Sequence, residues 1–258
     1  MTNTGAEVTE FPLPVDLPPM EAQLVEELPE QPGWQFEPKW DGFRCLAFRA
    51  GNEVELRAKS GKPLARYFPE MSAALRGFQV SRFVLDCELA IPVGETFSFE
   101  ALQMRLHPAE SRIKKLAAET PAVLILFDLL AAPDSESLLQ TPLIQRRSAL
   151  DAFFQSIRRE YPIRLSPYTR NIVEARGWLD ASCSAPDGVI AKRLSIGPAS
   201  EPCSRLRSGG PRIAWSEASA TRRNRASSGL CCLGSTTKKA SSITSGLLRH
   251  YTISTARR

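Results

Sequence analysis

The sequence predicts an α+β fold with largely antiparallel sheets, and three observations lead to that prediction. Short segments alternate apolar and polar residues and are separated by turn residues, as half-buried strands do. Residues 122–130 form one apolar run broken by a single carboxylate, Asp128, which is typical of a strand buried on both faces. Segments with helical spacing are fewer. With 258 residues, 43% of them hydrophobic and 24% charged, the chain can bury a sizeable core.

The predicted elements follow one another between residues 33 and 194. A hairpin is predicted around Gly51-Asn52, because alternating segments flank that turn. A helix is predicted from Phe68, since Pro69 suits a first helical turn. Strands are predicted at 34–37, 44–49, 54–57, 83–91 (interrupted at 86–88), 122–130, 163–166 and 189–192, and helices at 68–75, 97–106, 143–154 and 172–181.

The two ends of the chain differ from this middle part. Residues 1–32 are rich in proline and acidic residues and are predicted to form an extended arm, with a short helix possible at 20–28. Residues 195–258 contain 11 basic and two acidic residues, whereas the rest of the chain contains 22 basic and 26 acidic ones. This tail is rich in serine and threonine and lacks strand-like alternation. It is therefore compatible with a disordered basic segment that attracts nucleic acid.

The composition argues against several classes of protein. The six cysteines show no metal-ligand spacing, and only two histidines are available for a metal site or a Ser-His-Asp triad. No apolar run reaches the ~20 residues that span a bilayer, and residues 1–10 lack the apolar core of a secretory signal. We therefore expect reduced thiols and a cytoplasmic protein without a membrane partner. We also expect a monomer, although none of these observations bears on the oligomeric state.

One stretch organises the functional inference, namely Lys39-Trp40-Asp41-Gly42-Phe43-Arg44. A lysine beside an Asp-Gly turn is, by itself, compatible with a salt-bridged surface corner. Four further pieces follow in order: Lys59-Ser60-Gly61 with Arg66-Tyr67-Phe68-Pro69, then Leu85-Asp86-Cys87-Glu88, Leu126-Phe127-Asp128-Leu129, and Asp187-Gly188-Val189-Ile190-Ala191-Lys192. Their order and spacing resemble the adenylation domain of ATP-dependent DNA ligases, in the covalent nucleotidyltransferase superfamily. Bacterial ligases of end joining and base repair are the most similar in appearance.

The resemblance implies a nucleotidyltransferase domain over residues 33–194 that uses ATP and Mg²⁺ (or Mn²⁺). It also implies nicked double-stranded DNA as the substrate, a role in DNA repair and recombination, and other repair proteins as possible partners. In this family a lysine forms a phosphoramidate with AMP, AMP is then transferred to the DNA end, and the nick is sealed. Lys39 would be that nucleophile. An amine attacks only in its neutral form, which nearby cations favour.

The remaining site residues are also implied by position in the family. Arg44 and Lys192 would hold phosphate or ribose oxygens, and Glu37 would contact the adenine amino group through its backbone. Phe127 would stack on adenine, with simple core packing as the alternative. Lys59 stands where many relatives carry arginine, which keeps the charge but loses the bidentate fork.

Glu88 and Asp187 would contact the ribose and bind the divalent metal, with solvated loop acids as the alternative. Asp187 replaces the family's more usual glutamate, so its carboxylate would lie one methylene further back. Arg146 and Arg147 could contact nucleotide or DNA, or lie on a solvated helix face.

Relatives continue after this last strand with a further lysine motif and an OB-fold domain, which residues 195–258 do not resemble. We therefore expect the OB-fold to be missing or corrupted, with an out-of-frame tail in its place and impaired sealing. Two alternatives remain: an RNA ligase or GTP-using capping-type enzyme, which shares the Lys-x-Asp-Gly core, and a catalytically inactive truncated product that binds nucleotide or DNA.

Overall fold

The computed structural model describes residues 10–134, 136–158, 160–180, 188–195, 197 and 203–207. The strands in this part of the chain are β1 Ala22–Leu24, β2 Trp34–Pro38, β3 Phe43–Ala50, β4 Glu53–Ala58, β5 Arg82–Ala90, β6 Pro92–Val93, β7 Thr96–Phe97, β8 Val123–Ala131, β9 Ile163–Leu165, β10 Gly188–Arg193 and β11 Cys203–Arg207. The helices are α1 Pro69–Arg76, α2 Phe99–Arg105, α3 Glu110–Glu119, α4 Leu143–Gln155 and α5 Ile172–Asp180. The predicted α+β class is confirmed.

The larger sheet has five strands in the order β4-β3-β5-β8-β9. Its pairs are antiparallel except for β8 and β9, which run parallel. Alternation along β3 explains its two faces: Cys45 and Ala47 join the main core, whereas Leu46 and Phe48 face the opposite side. β8 is buried along its whole length, as its unbroken apolar run predicts.

Helices α1, α2 and α4 cover one face of this sheet and form the main core with it. They contribute Met71 and Leu75 from α1, Leu102 from α2, and Leu150 and Phe153 from α4. These side chains are at most 4% exposed. The helices are therefore held by burial of their apolar faces, which fixes the orientation of the sheet that carries much of the candidate active site.

The N-terminal arm covers the other face of the larger sheet. Leu13 is 6% exposed and packs with Phe48 and Leu130, while the Phe11 ring meets the Phe48 ring edge-on at 5.9 Å. The arm is extended, as predicted, but it is docked on the domain. The predicted helix at 20–28 is wrong, because β1 forms there and pairs in parallel with β11.

The smaller sheet has four strands in the order β1-β11-β10-β2. Its core packs Phe36, Val189 and Ala191 against Ala175 of α5. Strand β11 lies in the segment where the sequence showed no strand-like alternation, and it pairs antiparallel with β10. The boundary at residue 194 stays a prediction, and most of residues 195–258 lie outside the described residues.

Two other local differences from the sequence predictions have simple causes. β5 is continuous through residues 86–88, and the predicted interruption is instead a register irregularity in its pairing with β8. Helix α3 was not predicted, because Ile113 is its one buried residue and its sequence is otherwise mostly charged.

No helix in the described part of the chain is long and apolar enough to cross a membrane.

Candidate active site

An open cavity of about 230 Å³ lies where β2 and β10 of the smaller sheet approach β3, β5 and β8 of the larger one. Seven residues that the sequence assigns to catalysis or nucleotide binding line it, namely Glu37, Lys39, Arg44, Lys59, Glu88, Phe127 and Lys192. The eighth predicted residue, Asp187, lies outside the described residues. Residues that are scattered over 155 positions in sequence thus share one concave site, the usual form of a small-molecule pocket.

Lys39 follows β2 directly, and hydrogen bonding to β10 fixes its backbone. Its amide donates to the Gly188 carbonyl at 2.8 Å, which extends the β2–β10 pairing to the lysine. The Asp-Gly turn after it brings the chain against β5, where a Cβ on Gly42 would lie 2.4 Å from the Leu89 carbonyl oxygen and 2.9 Å from Glu88 Cγ. Glycine permits this approach, which brings the Lys39 turn against the Glu88 side chain.

Glu88 is partly buried on β5, opposite Arg44 on β3. Burial raises the pKa of Glu88 to about 8. Arg44 and Lys39 stabilise the charged form and so oppose this shift, but burial is the larger effect. The carboxyl group is therefore mostly protonated at neutral pH. A divalent cation that binds there would have to displace that proton, so cation binding at Glu88 should strengthen as pH rises.

Arg44 is held in place by Asp86, a residue that the sequence analysis did not assign to the site. Its Nε and Nη2 donate to the two Asp86 carboxylate oxygens at 2.5 Å each. Nη2 also donates to the Met20 carbonyl at 3.4 Å, and the guanidinium lies 4.6 Å from the Phe127 ring centroid. Burial raises the pKa of Asp86, and Arg44 opposes that shift. Arg44 is thus a fixed cation on the cavity wall.

Lys192 and Glu37 form a second charged pair across the strands of the smaller sheet. The Lys192 ammonium donates to Glu37 Oε2 at 2.8 Å, and Gln35 Nε2 donates to Glu37 Oε1 at 2.8 Å. The ammonium also lies 4.7 Å from the Phe127 ring centroid. Since the Lys192 side chain is 12% exposed and Glu37 is 3% exposed, this pair is screened little by solvent.

Phe127 lies on the cavity wall between these two charged groups. Its side chain is 8% exposed, yet it belongs to none of the hydrophobic clusters formed by the described residues. Two cations, from Arg44 and Lys192, lie over its ring instead. This position favours an aromatic cavity wall over the alternative of core packing.

The N-terminal arm also contributes to the cavity, which the sequence analysis did not anticipate. The arm segment from Pro19 to Ala22 lines it. Lys59 pairs with Glu21 of the arm at 3.0 Å, and both side chains are more than half exposed. A pair this exposed contributes at most ~1 kcal/mol to stability. No local pattern marks the arm as part of the site, because its position depends on contacts with distant strands.

Both interpretations of Arg146 and Arg147 are wrong. Arg146 is 1% exposed and Arg147 is 4% exposed, so neither lies on a solvated face, and neither lines the cavity. Arg146 forms a bidentate pair with Asp128. Arg147 donates to Asp151 at 2.9 Å and to the Ser166 carbonyl at 2.9 Å. The helical spacing correctly predicted α4, but it could not show which face was buried.

A complete metal site cannot be assembled from the described residues alone. No group of three or more His, Cys, Asp or Glu side chains with suitable geometry occurs among them. Glu88 supplies one carboxyl group on the cavity wall, of the oxygen-donor type that Mg²⁺ prefers. Asp187, the other predicted ligand, lies outside the described residues, so the metal assignment stays a prediction.

Residues 19–199 match the family model described as "ATP dependent DNA ligase domain". The chain belongs to this ligase domain family. Among curated ligases, it is 45% identical over 190 residues to DNA ligase C1 of Mycolicibacterium smegmatis, covering 70% of this chain and 53% of that protein. It is 42% identical over 186 residues to DNA ligase C of Mycobacterium tuberculosis, covering 71% and 51%. The chain therefore spans about half the length of these ligases.

Solved structures of the ligase family share the fold. A structure described as "mycobacterial DNA ligase D complexed with ATP and MES" superposes with a TM-score of 0.56 at 22% identity, covering 75% of this chain and 60% of that one. The ligase domain of Mycobacterium tuberculosis LigD gives a TM-score of 0.54 at 23% identity, covering 75% and 59%. These matches agree with the ligase fold expected from the sequence motifs.

Proposed function

We propose that this chain contains the adenylation domain of an ATP-dependent DNA ligase that seals nicks in duplex DNA, and that Lys39 carries the AMP. The observation that supports this most is the convergence of Lys39, three further cations, Glu88 and Phe127 on one cavity. Family membership supports the reaction class, and the shared cavity supports the roles proposed for the seven described site residues. The protein would act in the cytoplasm, as a monomer, on nicked DNA and in concert with other repair proteins.

In the proposed first step, Lys39 Nζ attacks the α-phosphorus of ATP. A nitrogen–phosphorus bond forms, the bond from the α-phosphorus to the bridging oxygen breaks, and pyrophosphate leaves with the electron pair. The amine loses its proton before or during the attack. Arg44 and Lys192 would offset the negative charge that develops on the phosphate oxygens. Lys59, at the exposed mouth, would attract the triphosphate or the DNA backbone.

Phe127 and Glu37 would hold the base, by ring stacking and by a backbone contact to the adenine amino group. Glu88 and Asp187 are proposed to hold Mg²⁺ (or Mn²⁺), which would neutralise phosphate charge and orient the leaving group. Glu88 would also be available to the ribose.

Transfer of label from α-³²P-ATP to the protein tests the adenylation step. We expect an acid-labile, protein-bound label that is lost in the Lys39→Ala variant and retained in Lys62→Ala. Lys62 is an exposed lysine on a nearby loop that does not line the cavity, so it controls for the loss of a positive charge. Equal labelling of the wild type and Lys39→Ala would contradict the assignment. Labelling from GTP instead of ATP would point to a capping-type enzyme, and sealing of nicked RNA but not DNA would point to an RNA ligase.

A second candidate is a domain that binds nucleotide without sealing DNA. The observation that favours it is the composition of residues 195–258, which are rich in serine, threonine and basic residues and lack the strand-like alternation of an OB-fold. A gel assay on a nicked duplex separates the two candidates. Lysyl-AMP formation without sealed product would support the second, and sealing at rates comparable to full-length relatives would exclude it.

A further inference from the structure

A buried ion pair lies directly behind Phe127 and has no place in the function proposed above. Arg146 Nε donates to Asp128 Oδ1 at 2.9 Å, and Arg146 Nη2 donates to Asp128 Oδ2 at 2.8 Å. The Arg146 side chain is 1% exposed and does not line the cavity, so it cannot contact a bound nucleotide. Any influence of Arg146 on the site must therefore pass through its neighbours.

The neighbour that matters is a β-bulge in β8. Across the β5–β8 pair, Asp86 faces Asp128 and Cys87 faces Leu126, so Phe127 is an extra residue with no partner on β5. In a regular strand, residues 126 and 128 would point to the same face of the sheet. Here Leu126 joins the main core while Asp128 lines the cavity. The bulge thus re-aims the chain and presents the Phe127 ring to the cavity.

Arg146 attaches this bulge to the body of the domain. Asp128 Oδ1 also accepts a hydrogen bond from the backbone amide of Leu129 at 2.9 Å. The carboxylate therefore stabilises the backbone conformation immediately after Phe127. Arg146 Nη1 donates to the Thr141 carbonyl at 2.5 Å, and Arg146 lies in the first turn of α4. A guanidinium fork fixes both the position and the orientation of a carboxylate, whereas a point charge fixes the position alone.

We propose that Arg146 is a positioning residue for adenine recognition, which acts by clamping Asp128 so that the bulge holds the Phe127 ring against the bound base. The proposal rests on the proposed function for the ligand. The proposal predicts an effect on binding of the base and not of the phosphates. The reason is that the Arg146–Asp128 pair contributes to the cavity surface only through the Phe127 ring and the Asp128 carboxylate.

The test measures binding of ATP and of inorganic tripolyphosphate to the purified chain, using Arg146→Lys and a matched control, Arg105→Lys. Lysine keeps the buried charge but cannot form the fork. Arg105 is also fully buried and donates to both carboxylate oxygens of Glu70, at 2.7 and 2.8 Å, but it lies away from the cavity. Any general cost of weakening a buried arginine pair therefore appears in both variants.

We expect Arg146→Lys to weaken ATP binding about ten-fold, the size of a lost base–aromatic stack, and to leave tripolyphosphate binding unchanged. Arg105→Lys should bind both ligands as the wild type does. In the Phe127→Ala background, adding Arg146→Lys should change ATP binding no further. Where adenylation can be followed, KM for ATP should rise while kcat stays the same.

Three results would overturn the proposal: equal ATP affinity in the two lysine variants, an equal loss of tripolyphosphate binding, or a full additional loss in the Phe127→Ala background. A crystal structure of unliganded Arg146→Lys gives a readout that does not depend on ATP. We expect the bulge to change and the Phe127 ring to leave the cavity wall, and an unmoved ring would equally refute the clamp. Failure of the wild type to bind ATP would count against the proposed function, and the ring position would still decide this inference.

Discussion

At the scale of single residues, Glu88 carries a pKa shift with a measurable consequence for stability. Its pKa is raised from 4.5 to about 8 by burial, so the folded state retains a proton that the unfolded state has lost. The free energy of unfolding should therefore fall as pH rises from about 4.5 to about 8. Glutamine stays neutral throughout that range and removes this loss.

We expect Glu88→Gln to be as stable as the wild type near pH 4 and more stable at pH 8, by up to about 4 kcal/mol, which is what a pKa shift from 4.5 to about 8 implies. The measurement is urea unfolding at several pH values, with Glu95→Gln, an exposed carboxylate, as the control. If the free energies of unfolding of the wild type and Glu88→Gln differ by the same amount at pH 4 and at pH 8, the pKa of Glu88 is not raised.

Gly42 gives a second prediction at this scale, because its backbone touches β5. A Cβ there would lie 2.4 Å from a backbone oxygen that cannot move away without disturbing the sheet. We expect Gly42→Ala to lose about 1–3 kcal/mol of stability and to disturb the Lys39 turn. Gly177→Ala is the matched control, since it lies in α5 with no heavy atom within 4 Å of the added Cβ, and it should be neutral or slightly stabilising. Equal thermal shifts in the two variants would contradict this account.

The site shows what sequence can reveal about single residues and what it cannot. The seven described residues implied by the family motifs share one cavity, because a motif marks residues that meet a common ligand. Their supporting partners, such as Asp86 behind Arg44, carry no comparable mark. Such supporting partners can be identified only when it is known which residues of neighbouring strands lie side by side, and this depends on the register of the strand pairing.

At the scale of elements, the N-terminal arm can be tested directly, because it is docked on the larger sheet and lines the cavity. Leu13 is 6% exposed against Phe48 and Leu130, whereas Leu24 in β1 is 36% exposed. We expect Leu13→Ala to destabilise the domain by about 2–4 kcal/mol and Leu24→Ala to have an effect below ~1 kcal/mol. Thermal unfolding of both variants provides the measurement. A small effect of Leu13→Ala would mean that the arm is not part of the folded domain.

The elements that sequence predicted well are those whose signal is local. The hairpin of β3 and β4 follows from alternation around a turn, and β8 follows from its apolar run. β1 was missed because its partner, β11, lies about 180 residues away, which no local window contains. β11 was missed because its own segment lacks strand-like alternation, although it also pairs with the nearby β10. The bulge at Phe127 was missed for a related reason, since it is a property of the pairing of two strands.

At the scale of the whole molecule, the segment after the last family motif bears on whether the chain can seal DNA. We propose that the segment after residue 194 is translated out of frame and replaces an OB-fold domain, because residues 195–258 are rich in serine, threonine and basic residues and lack strand-like alternation. The gene sequence tests this: a shift of one base near codon 195 should restore a reading frame that resembles the C-terminal half of the curated ligases. A gene in which neither alternative frame shows such a likeness would contradict the proposal.

The central claim is that Lys39 forms the covalent bond to AMP, and peptide mass spectrometry tests it most directly. The protein is incubated with ATP and Mg²⁺, digested under conditions that preserve phosphoramidates, and mapped. The account predicts an AMP adduct on the peptide that contains Lys39, within the turn that comes after β2. An adduct on another lysine, such as Lys192 or Lys59, with none on Lys39, would contradict the assignment of the nucleophile.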